Sequence, residues 1–124
     1  MGVEVFVYQD RVTVDFSGTE RLLTLKSHLD LSMYEIESAR VAPVDELRRE
    51  LGWRVGGGYL PGYFITGLFT VPGRRGARQL WCVYRDREAL VIETRLNNPS
   101  RVVLQHPYRH DLAWLIGERV PHYT

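Results

Sequence analysis

The sequence predicts a mainly β domain with some α: a strongly bent antiparallel sheet or barrel of about seven strands, capped by a C-terminal helix. Three observations predict it. β-Branched and aromatic residues recur in short runs, the second of which alternates apolar and polar residues. Clusters of Gly, Pro, Asn and Asp separate the later runs. Near the C-terminus the apolar residues shift to helical spacing, at Leu112, Leu115 and Ile116. A helix with one apolar stripe has to bury it, and the open end of a curled sheet offers the place.

The elements follow in chain order. Residues 3–8 and 11–16 read as two strands around Gln9-Asp10. Ser17-Gly18-Thr19-Glu20 matches a capping box, in which serine and glutamate satisfy the first free amides of a helix, so a short helix is expected over 21–26, with a strand as the alternative for so short a run. Residues 29–31 and 36–41 return to alternation, broken at Met33-Tyr34. Pro43 then opens a connector helix over 44–51, with Val44, Leu47 and Leu51 on one face and Gly52 placed to end it. Gly56-Gly57-Gly58 within residues 56–62 predicts a loop, because three successive glycines lose much backbone entropy in a strand. Strands over 63–71, 79–84, 89–94 and 101–105, joined by turn-formers, predict sequential hairpins in an antiparallel meander. The terminal helix is expected over 108–120.

Length and composition bound the class. A chain of 124 residues with 44% hydrophobic residues suits a single domain over 1–124 that can build a core without disulfides or structural metals. The lone Cys82 sits in an apolar run and reads as a small buried hydrophobe, with a cytoplasmic setting as the expectation. Met1-Gly2-Val3-Glu4 lacks a basic segment followed by an apolar stretch, so a signal peptide is not expected. The charge-free run from Val55 to Gly73 is interrupted by glycine and proline too often to span a membrane as a helix. Charge is uneven: residues 1–62 carry seven basic and ten acidic groups, residues 63–124 nine and five. Fifteen of the sixteen basic residues are arginine, which suits planar contacts to carboxylates and phosphates.

The order of pieces resembles the small bacterial pleckstrin-homology-like domains of the actinobacterial type. The residues that carry the resemblance are Gly18-Thr19-Glu20-Arg21-Leu22-Leu23-Thr24-Leu25, Leu29 to Ile36, Leu60-Pro61-Gly62, Gly67-Leu68-Phe69, Leu80-Trp81, Leu90 to Thr94 and His106-Pro107. The resemblance covers most of residues 11–120 and implies a binding or assembly role without catalytic residues. One departure matters. Eukaryotic relatives grip phosphoinositides with a basic loop between their first two strands, whereas Ser17 to Lys26 here reads as a capped helix.

Few constellations carry chemistry. His106, His110, Asp111 and His122 gather near the C-terminus and form the best metal candidate, which would make a metal-dependent enzyme. Against it, Pro107 places His106 outside the helix. Ser27-His28 beside Asp30 are neighbours without triad geometry in sequence, and Cys82 lacks an adjacent base. The Gly56-Gly57-Gly58 run lacks the flanking residues of a phosphate loop. Arg74, Arg75 and Arg78 form a compact basic cluster at a hairpin tip, a possible contact for anions or anionic lipid. Interleaved aromatics and a basic helical stripe are missing, so nucleic acid is not expected. Tyr59, Tyr63 and Trp81, if they share an outer face, form a protein interface. The favoured expectation is a non-enzymatic module acting through protein contact, with an unknown protein partner or by self-association. No cofactor is implied. The alternatives are peripheral membrane binding and the histidine metalloenzyme.

Overall fold

The computed structural model describes residues 2–18, 27–60, 62–85 and 87–121. Its two sheets face each other across a common core. β1 (Val3–Val7), β2 (Arg11–Phe16) and β3 (His28–Ser32) form a three-stranded antiparallel sheet. The alternation read in the sequence assigns its faces, with Val12, Val14, Phe16, Leu29 and Leu31 turned inward. The capping box expected at Ser17–Glu20 and the helix over 21–26 lie largely outside the described residues.

A second serine-to-glutamate spacing, at Ser32 and Glu35, makes the corner between the sheets. Ser32 Oγ accepts the Tyr34 N–H at 3.2 Å, and the Glu35 carboxylate accepts the Ser32 N–H at 2.9 Å. This capping box closes one 3-10 turn, Met33–Glu35. The chain then enters a six-stranded sheet of β4 (Ile36–Pro43), β5 (Arg54–Leu60), β6 (Phe64–Val71), β7 (Arg74–Tyr84), β8 (Glu88–Thr94) and β9 (Arg101–Leu104). Its spatial order is β4-β8-β9-β7-β6-β5. Between β4 and β5 lies a short helix, α1 (Val44–Arg48).

Three expectations need correction. The sheets remain separate and are not closed into a barrel, and the described residues hold nine strands rather than about seven. The meander is interrupted: β9 inserts between β7 and β8 and runs parallel to β7, so β7 and β8 are not paired. The glycine run is strand and not loop, because Gly56, Gly57 and Gly58 lie within β5, paired to Leu68, Gly67 and Thr66 of β6. Gly67 of β6 comes close to the backbone of this run. Gly67 has φ +117°, and a methyl group on it would lie 2.7 Å from Gly57 Cα and closer still to the Gly56 carbonyl oxygen. The entropy lost in ordering glycine is offset by a backbone separation that no side chain would allow.

The central strands are buried on both faces, as their near-continuous apolar runs require. Leu80, Cys82, Leu90, Ile92, Val102 and Leu104 face the small sheet. Trp81, Val83, Ala89, Val91 and Val103 face the other way, where Val44 and Leu47 of α1 cover them together with Ile65 and Phe69. Cys82 is buried, as the sequence suggested. The terminal helix α2 (Arg109–Arg119) packs on β4, β8 and β1. It delivers Ile116, followed by Val120, to the first core, and Arg119 Nη1 donates to the Val7 carbonyl at 3.0 Å. No helix among the described residues is long and apolar enough to cross a membrane.

Candidate functional site

The outer edge of β5 is the most exposed apolar feature of the large sheet. β5 pairs with β6 on one side and has no strand on the other among the described residues. Along and beside it stand Trp53 (84% exposed), Val55, Tyr59, Leu60 and Tyr63 (53% exposed). Natural edges are usually shortened, bulged or charged to prevent pairing with another chain. β5 has one such device, a register shift at Val55, which leaves Gly56 to Leu60 as a regular ladder. Arg54 is the one charged residue within the strand.

Two of the three residues expected at an aromatic interface lie here. Tyr59 meets Phe69 edge-on with ring centroids 6.4 Å apart. Tyr63 carries the Arg85 guanidinium at 4.8 Å from its ring centre. Trp81 does not join them. It is fully buried on the face covered by α1, where its indole N–H donates to Gln79 Oε1 at 2.8 Å. The correction has a simple cause: alternation assigns Trp81 to a face, but that face carries a second core.

A cleft of about 190 Å³ adjoins the turn after β5. Its walls include Arg48 of α1, Tyr63 and Phe64 beyond the turn, Arg85 at the end of β7, and Arg87. Val44, Ile65 and Val83 supply its apolar lining. A shallower depression joins Asp45, Arg48 and Arg49 to Tyr59.

Arg74, Arg75 and Arg78 sit at the start of β7, and Arg74 directly follows the turn of the β6–β7 hairpin. Thr70 faces Arg78 and Val71 faces Arg74, so Arg75 to Ala77 bulge from the ladder. Arg74 Nη2 donates to Asn97 Oδ1 at 3.2 Å, and Arg78 Nη1 to the Ala77 carbonyl at 3.0 Å. Two of the three guanidinium groups are thus already engaged. Next to Arg74 a second cleft, about 330 Å³, is crossed by ionic contacts. Arg101 Nη2 lies 2.7 Å from Glu93 Oε2 and 3.1 Å from Glu50 Oε2, and Arg40 Nη1 reaches Glu93 Oε2 at 2.9 Å. Burial alone would push Glu93 up, but the hydrogen bonds from Arg101 and Arg40 outweigh it and hold the carboxyl below its ordinary range.

The histidines divide between two places. His106 Nδ1 accepts the Tyr108 N–H at 3.1 Å, and burial lowers its pKa against the opposing field of Glu4. His110 Nε2 lies 3.7 Å from Glu88 Oε1, and His122 falls outside the described residues. The described residues contain no group of three His, Cys, Asp or Glu side chains arranged to hold a metal ion. His28 is held more firmly. Its Nδ1 is 2.7 Å from Asp15 and its Nε2 is 2.8 Å from Asp30, whose other oxygen accepts the Thr13 hydroxyl at 2.5 Å. Sequence adjacency suggested Asp30. Asp15 becomes visible only through the strand register that sets it opposite His28.

Comparison with protein-family models, curated proteins and solved structures finds no match. Functional inference therefore rests on the molecule's own geometry.

Proposed function

We propose that this chain is a non-enzymatic assembly module that acts by protein contact, with β5 of one copy pairing antiparallel to β5 of a second. The observation that carries the reading is the apolar rim on an unpaired strand: Trp53, Val55, Tyr59, Leu60 and Tyr63 are exposed around a ladder whose outer backbone groups have no strand partner among the described residues. Strand addition satisfies those groups, and alternate side chains supply specificity.

The residue pattern favours a second copy as the occupant. An antiparallel pair centred on Gly58 sets Tyr59 of each copy opposite Gly57 of the other, where an aromatic ring covers a position without a side chain. The ladder from Gly56 to Leu60 contains no charge, so the pairing brings no like charges face to face along it. A two-fold contact of this kind closes on itself and yields a dimer.

Within this reading the chain is a pleckstrin-homology-like module in the broad sense of a bent β frame with a C-terminal helix. The paired sheets and the packing of α2 support that likeness, while the parallel β7–β9 ladder departs from a simple meander.

Sedimentation equilibrium tests the proposal. The wild-type mass should rise from one chain to two across the micromolar range, and Val55→Lys combined with Leu60→Lys should hold the protein at one chain. A wild-type mass of one chain throughout overturns the reading. A dimer unaffected by both lysines places its interface elsewhere and also overturns it.

A further inference from the structure

The cleft beyond the β5–β6 turn combines charge with an apolar lining in a way that assembly through the strand edge does not require. Among its described lining residues it has three guanidinium groups, Arg48, Arg85 and Arg87, and one carboxylate, Asp45. Arg48 comes from α1, whereas Arg85 and Arg87 both come from the short connection between β7 and β8. Two segments distant in sequence thus converge on one small volume.

Two of these arginines are positioned, and the segment that carries the third is tied to α1. Arg48 lies 3.3 Å from Asp45 on the same helix. Arg85 rests over the Tyr63 ring, a cation–π contact that holds the guanidinium beside the cleft. The Arg87 carbonyl accepts the Val44 N–H at 2.8 Å, which ties its turn to the start of α1. Arg85 also has φ +53°, the left-handed region that non-glycine residues seldom occupy. Such conformations persist where the surroundings hold them and cluster at ligand sites.

We propose that this cleft binds a small organic dianion, a phosphate monoester with an apolar body. Among the described lining residues three arginines stand against one carboxylate, an excess of positive charge suited to a phosphoryl group, which carries close to two negative charges. Guanidinium groups match its oxygens in paired hydrogen bonds. Ile65, Val83 and Val44 then receive the apolar part of the ligand, beside the Tyr63 and Phe64 rings. A volume of about 190 Å³ is smaller than the roughly 300–1,000 Å³ of sites for drug-sized ligands, so the fit is to one phosphoryl group and a compact substituent. The same phosphoryl chemistry occurs on a soluble monoester and on a lipid headgroup, and the small volume of the cleft favours the soluble form.

Phenyl phosphate is the probe, titrated into the full chain and followed by backbone amide shifts and calorimetry. Saturable binding is expected with shifts at Tyr63, Val83 and Arg85, stronger than for benzoate and inorganic phosphate, and absent for phenol. Arg87→Gln and Arg85→Gly should each weaken it by about tenfold, the typical consequence of removing one charge-assisted hydrogen bond. The glycine variant suits the left-handed backbone, so it removes the guanidinium without disturbing the turn. Arg75→Gln, outside the cleft, should leave binding unchanged. No saturable binding of phenyl phosphate, or binding by both cleft variants as tight as by the wild type, overturns the proposal. Vesicles with phosphorylated headgroups serve as the other arm: binding to them that is lost in the cleft variants, without binding of phenyl phosphate, overturns the assignment to a soluble ligand.

Discussion

Gln79 holds the Trp81 indole by accepting its N–H at 2.8 Å, and its own amide donates to the Glu50 and Thr70 carbonyls at 2.9 and 3.0 Å. One buried side chain thus fastens the segment after α1 to β6 and β7. Gln79→Leu would leave an indole N–H and two carbonyls without this partner. Urea unfolding should show a loss of about 2–4 kcal/mol, since each buried polar group left unsatisfied costs about 1–3 kcal/mol. A loss below about 0.5 kcal/mol, within the range of ordinary surface changes, would show that the contact does not brace the fold.

Gly67 and Gly62 provide a paired test of close approach. Both have positive φ, +117° and +81°, but a methyl group at Gly67 would meet β5 whereas one at Gly62 meets nothing within 4 Å. Gly62→Ala should cost about 1 kcal/mol from backbone strain alone. Gly67→Ala should cost about 2–3 kcal/mol and speed amide exchange in β5, because strain and displacement act together. Equal losses would contradict the role assigned to the glycine pair.

His28 should titrate above its ordinary value of about 6.5, because hydrogen bonds to Asp15 first and Asp30 second favour the imidazolium. Asp30 is held below its usual range by the Thr13 hydroxyl first and by His28 second. The signs then define a window. The His28 contribution is full below about pH 6.5 and fades as pH rises through its raised value, while that of Asp30 is full above about pH 3.9 and fades as pH falls through its lowered one. Proton NMR of His28 should show Asp15→Asn bringing the midpoint down. An unchanged midpoint would mean that the carboxylate does not act on the ring.

Glu93 joins β8 to β4 and β9 through Arg40 and Arg101, and it sits half-buried. Glu93→Gln removes the negative charge facing both guanidinium groups. Unfolding at neutral pH should show a loss of about 1–2 kcal/mol, between the values typical of exposed and buried pairs. The loss should shrink as pH falls through the lowered Glu93 value, where the native carboxylate itself becomes neutral. A pH-independent difference would point to packing and away from charge.

Local features were the most legible. Period two in Val12, Val14 and Phe16 identified an inward face, and Pro43 marked the start of the connector helix α1, which ends at Arg48, earlier than the stop expected at Gly52. Features set by distant partners were not. Nothing near Arg101 announces that β9 will enter between β7 and β8, because that choice depends on strands packed from elsewhere. The glycine run was misread because its entropy cost is local, whereas its benefit, the approach of Gly57 to Gly67, lies across the sheet. Trp81 shows the same limit, since parity along β7 does not reveal that α1 covers the far face. At the candidate sites, Tyr59 and Tyr63 were legible as exposed aromatics. The meeting of Arg48, Arg85 and Arg87 required the fold, and the capping box of Ser32 and Glu35 at the inter-sheet corner was missed although its spacing matches the one read at Ser17 and Glu20.

Amide hydrogen exchange at Gly56 to Leu60, measured at low and high protein concentration, tests strand pairing most directly. If β5 pairs with β5 of a second copy, its outward amides should exchange freely in dilute solution and become protected as concentration rises, while amides in β8 and β9 remain unchanged. Exchange in β5 that does not depend on concentration would contradict assembly through this edge.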